Sequence, residues 1–148
     1  MSRWGTLCLA AALLAGCGGD DSGGDAGQGG TARSNDGPAG VYDTSVALLD
    51  TSCEGIDVQD AVTTVEQESG SDTIELTHGE TTYTAPLAAD GQFTTDAALV
   101  PVGAQTHSLV VAGTFSEQGF RASVLATVTG GAGQPCGYEV GWVGTRQQ

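Results

Sequence analysis

His78 and His107 are the only histidines of the 148-residue chain, and imidazole is the side chain best suited to acid–base or metal chemistry near neutral pH. A zinc site would need both of them together with a carboxylate such as Glu80. His78 stands beside Gly79 at an expected turn, however, where a polar side chain is ordinary, so no metal is assigned. A Ser-His-Asp triad needs a nucleophile held on a sharp turn, and no Gly-x-Ser-x-Gly occurs anywhere in the chain. Lysine is absent altogether, which removes Schiff-base chemistry and the phosphate-binding lysine of nucleotide sites. Glu66, Glu68 and Glu75 fall on alternating outward positions and suit a solvated sheet face better than a catalytic pair. No catalytic residues and no cofactor are therefore assigned, and the protein is expected not to be an enzyme.

Charge narrows the partners. Four Arg against 18 Asp and Glu give a net charge of -14, which repels phosphate backbones and anionic bilayer surfaces. A nucleic-acid partner is excluded on that ground, and membrane attachment must rest on something other than charge. The N-terminus offers a candidate: Arg3 and the α-amino group precede an uncharged run from Trp4 to Leu14. This is the layout of a secretory signal, and it is too short for the roughly 20 apolar residues of a spanning helix.

That run ends in Leu14-Ala15-Gly16-Cys17, which resembles the lipobox of bacterial lipoproteins. The resemblance implies that the Cys17 thiol receives a diacylglycerol, that residues 1–16 are removed as a signal peptide, and that the lipid bilayer is a partner through acylated Cys17. Two or more acyl chains anchor a protein stably where one does not. Gly18 in place of Asp after the cysteine implies, by the same resemblance, a lipid-anchored position in the cell envelope at the outer membrane. Residues 17–40 then form a tether, rich in Gly and Asp and too poor in apolar side chains to order itself. With Cys8 removed in the signal and Cys17 acylated, Cys53 and Cys136 remain as a pair in an oxidising compartment, and a disulfide between them is expected.

Residues 41–148 read as one all-β domain. Ile74, Leu76 and His78 share a face before Gly79, and Tyr83 and Ala85 return on the far side of the turn; Leu109, Val111 and Phe115 alternate, as do Phe120, Val124 and Val128, and then Tyr138, Val140 and Trp142. About eight strands are expected, near 41–52, 61–69, 72–78, 80–86, 91–97, 105–116, 119–129 and 135–145, with a short helix over 58–67 as an alternative to the second strand. Short connections predict an antiparallel meander. A Cys53–Cys136 bond would join its first and last strands and close it into a small eight-stranded barrel. An immunoglobulin-like β-sandwich is the alternative, although its hallmark Trp between two cysteines is absent. Gly40-Val41-Tyr42 and Arg146 resemble the Gly-x-Trp and the late Arg of lipocalin-like barrels, with Tyr in place of Trp; the resemblance implies that Arg146 packs over the aromatic ring.

A barrel of this size is filled by side chains or holds one small ligand. The expected function is a ligand-binding module whose interior, lined by Leu76, Tyr83, Phe93, Leu109, Val111, Phe115 and Val124, takes a small apolar ligand. The alternative is a structural or interaction component that meets another envelope protein through its surface.

Overall fold

The computed structural model describes residues 37–148. The expected signal peptide, Cys8, Cys17 and nearly all of the tether lie outside the described residues. Nine strands follow in order: β1 (Gly40–Thr51), β2 (Ala61–Gln67), β3 (Thr73–His78), β4 (Thr81–Pro86), β5 (Gln92–Thr94), β6 (Ala98–Val102), β7 (Gln105–Ser116), β8 (Gly119–Gly130) and β9 (Cys136–Arg146). All pair antiparallel in one sheet of order β4-β3-β2-β1-β9-β8-β7-β5, with β6 also on β7. The sheet curls into a nearly closed barrel of eight strand positions with one unsealed seam.

Period-two alternation is what bends these segments around a common core. Ile74 and Leu76 of β3, Tyr83 and Ala85 of β4 and Val65 of β2 are buried, while Glu66, Glu75 and Thr84 between them are exposed. Closure comes from β9, which lies between β1 and β8 and pairs with both along most of its length. The Cys53–Cys136 disulfide joins the chain just past β1 to the start of β9, across 83 residues of sequence. Beside it Ser52 donates its backbone N–H to Gly137 O at 2.9 Å.

The expected strand near 61–69 is present as residues 61–67 and the alternative helix is not formed, because β-branched Val62, Thr63, Thr64 and Val65 gain more from pairing with β1 and β3 than from a helical turn. One local expectation changes. A strand that the alternation did not predict, β6, runs beside the N-terminal half of β7, while β5 covers part of its C-terminal half. The two share one position in the barrel. Thr95 bridges them, donating its N–H to Val111 O at 2.9 Å and accepting the Val111 N–H on Oγ1 at 3.0 Å.

The seam lies between β4 and the β5–β6 edge, where a Leu87–Phe93 bridge and an Asp96 N–H to Thr84 O bond of 3.2 Å are the cross-links. Gly103 and Ala104 make a two-residue turn, so Val102 and Gln105 form its hydrogen-bonded pair. Counting back by two, the backbone of Leu99 and Pro101 faces the open side. Proline at that position removes one of the donors that would recruit another strand.

Candidate functional site

The two ends of the barrel are filled differently. At the end where β1 begins, Tyr42, Phe93, Phe115 and Phe120 form a block of rings, with centroids 5.3 Å apart for Tyr42–Phe120 and 4.9 Å for Phe93–Phe115. Gly144 permits this block: a Cβ there would collide with the Phe120 ring, its partner across the ladder. Arg146 closes the end from above, its guanidinium carbon 5.5 Å from the Tyr42 ring centroid and its Nη2 donating to Tyr42 Oη at 2.9 Å and Gly37 O at 2.6 Å. Tyr42 in turn donates to Pro38 O at 2.5 Å. The packing of Arg146 over an aromatic of the first strand is thus present as a contact.

The opposite end, beside the β3–β4 turn, is open. A pocket of about 250 Å³ there is walled by Val46, Val58, Leu109, Val124 and Val140, with Asp57 and Gln59 at its rim. His78, Thr81, Tyr83, Tyr138 and Trp142 supply its aromatic and polar lining. His78 stacks on Trp142 at 4.1 Å between centroids, and Tyr83 meets the same indole edge-on at 6.0 Å. The His78 Nδ1 lies 2.8 Å from Thr63 Oγ1, which lies 2.7 Å from Thr44 Oγ1. One inward position beyond Leu109, toward the β6–β7 turn, His107 Nδ1 meets Tyr138 Oη at 3.0 Å, while His107 Nε2 is buried with no partner among the described residues.

Burial acts on the ionisation of this lining. It pushes the His78 imidazolium below its ordinary pKa of 6.5, since a charged ring would lose its hydration against Trp142. It pushes the Tyr83 phenol up to about 12, against the opposing hydrogen bond from Thr81 and with a small addition from Tyr138. Burial also raises Tyr138. These three are the titratable side chains moved from their ordinary values among the described residues, and all three line this one pocket. All three shifts come chiefly from burial, because each side chain points inward from its strand.

Of the seven residues expected to line a ligand chamber, Tyr83, Leu109 and Val124 reach the mouth. Leu76, Phe93 and Val111 are buried in the continuous core, and Phe115 packs at the opposite end. The structure brings together a set that the sequence had not assigned: His78, Tyr138 and Trp142 at the mouth, with His107 against Tyr138. Its signal lay in parity, because His78 follows Leu76 by two, His107 precedes Leu109 by two, and Tyr138 and Trp142 flank Val140. Among the described residues no group of three or more His, Cys, Asp or Glu converges in a metal-holding arrangement. No family model matches the chain, and neither a curated protein nor a solved structure matches it.

Proposed function

We propose that this chain is a membrane-anchored lipoprotein of the bacterial cell envelope whose barrel binds a small ligand at its open mouth. One observation carries the binding reading: the three side chains with shifted ionisation line the same open pocket, between apolar walls. The anchor rests on the lipobox resemblance at Leu14-Ala15-Gly16-Cys17. Ligand contact at the mouth replaces the deep chamber first expected, since the middle of the barrel is packed with Ile74, Leu76 and Val111, each 0% exposed.

Mass spectrometry of detergent-extracted protein tests both halves. The expected spectrum shows a chain beginning at an acylated Cys17 and a non-covalent small molecule, which Leu109→Trp displaces by filling the mouth. Cys17→Ser should abolish the acyl mass and leave residues 1–16 attached. An unacylated Cys17 in the native protein would overturn the anchor; a ligand retained equally by Leu109→Trp would overturn the mouth.

A second reading, an interaction protein of the envelope, is favoured by the outer face. Leu49 is 59% exposed, Leu125 59% and Leu99 70%, on β1, β8 and β6. Leu49 is the extra residue of a bulge in β1 and lies over Gly141 of β9. An acylated chain that carries no small molecule would shift weight to this surface.

A further inference from the structure

We infer that the mouth selects an uncharged molecule of about one ring in size, gripped through an oxygen acceptor by two protein donors, the Nε2–H of His78 and the Oη–H of Tyr138; this rests on the mouth being a binding site.

The first donor follows from where the buried hydroxyl protons can go. Thr44 and Thr63 are 3% and 0% exposed, and each carries a single O–H. If Thr44 donates to Thr63 and Thr63 donates to His78 Nδ1, every hydroxyl proton in the chain has an acceptor. Reversing the chain would make His78 donate from Nδ1 and leave the Thr44 O–H with no acceptor among the described residues. A buried donor left without an acceptor is costly, so the first arrangement holds. It leaves Nδ1 as the acceptor and places the ring proton on Nε2, which has no partner among the described residues and belongs to a ring lining the pocket.

The second donor follows from the orphaned nitrogen of His107. If Tyr138 donated to His107 Nδ1, the imidazole proton would sit on the buried Nε2 with nothing to accept it. Orphaned buried N–H groups are rarer than under-satisfied acceptors. His107 therefore donates from Nδ1 to Tyr138 Oη and keeps a bare lone pair on Nε2. The phenolic proton of Tyr138 is thereby free for the pocket that Tyr138 lines.

Charge and size complete the description. Asp57 lines the mouth, and Asp60 beside it accepts the Val46 N–H at 2.7 Å. Arg121 and Arg146, the cations among the described residues, stand toward the other end, where Arg121 pairs with Thr114 and Val143 and Arg146 covers Tyr42. An anion would meet carboxylates without a compensating cation, and a cation would meet the positive ends of two donors. The volume of about 250 Å³ exceeds the roughly 150 Å³ that admits benzene and leaves space for a small polar substituent.

Nuclear magnetic resonance on the full chain, with ¹⁵N-labelled histidine and tryptophan, tests this with three single-ring probes of similar size: acetophenone, benzoate and benzylammonium. The expected result is a protonated Nε2 on His78, a protonated Nδ1 on His107, and saturable shifts of the Trp142 indole and His78 signals with acetophenone alone. Tyr138→Phe should weaken acetophenone roughly three- to tenfold, as loss of one hydrogen bond requires. A His78 protonated on Nδ1, or benzoate or the ammonium binding as tightly as acetophenone, would overturn this inference and leave the mouth a binding site. No saturable shift with any of the three would overturn both.

Discussion

At the scale of single residues, His78 ties the mouth to pH. Its ring is held neutral by burial, so the folded chain takes up the proton only below the ordinary value of 6.5. Between those two pKa values the unfolded chain binds more protons, and stability falls as pH falls through that window. The groups around the ring are Thr63, Trp142 and, across the pocket, Tyr83, Tyr138 and Asp57. Urea denaturation at pH 7 and pH 5 should show a loss of stability in the wild type that is smaller in His78→Gln. An equal loss in both would place the acid sensitivity elsewhere. The residue type at position 78 was legible from the chain, and so was its face; its partner Thr63 was not, because the contact depends on the register between β2 and β3.

At the scale of elements, β9 must carry small residues where its neighbours press closest. Gly144 lies opposite Phe120, whose ring occupies the space a side chain would take, and Gly119 leaves no space for one against the Gly144 backbone. Gly144→Ala should destabilise the barrel by about 1–3 kcal/mol through displacement of the Phe120 ring from its edge-on contact with Tyr42. Thermal unfolding would register this, and an unchanged midpoint would show that the ring block yields without strain. The alternation revealed seven of the barrel's strands and the first half of the β5–β6 edge. It did not reveal β6, since "ALVPV" is short, contains Pro101 and shows Leu99 70% exposed, leaving little contrast between its faces.

At the scale of the molecule, closure depends on elements far apart in sequence. The Cys53–Cys136 bond spans 83 residues and sits where β1 and β9 meet, so it restrains most of the unfolded domain. Reduction should lower stability by roughly 4 to 5 kcal/mol in the chain-entropy view. Comparing urea midpoints with and without reductant checks this; a shift below about 1 kcal/mol would mean that β1–β9 pairing closes the barrel without covalent help. The seam between β4 and the β5–β6 edge is the weakest part of the ladder, with the fewest backbone bonds, and is the place where local opening should begin.

The sequence by itself determined the all-β class and the inward faces of most strands, and it left Cys53 and Cys136 as the pair to expect if Cys8 and Cys17 are set aside on the lipobox resemblance. These are local or arithmetic properties: side-chain alternation repeats every two residues, and counting cysteines needs no coordinates. Only the tertiary structure decided that one end is plugged by Tyr42, Phe93, Phe115 and Phe120 while the other stays open around His78, Tyr138 and Trp142. Inward-facing residues look alike along a strand. Whether they fill the barrel or line its mouth depends on how far along the axis each one lies, and that is fixed by the register of strands distant in the chain.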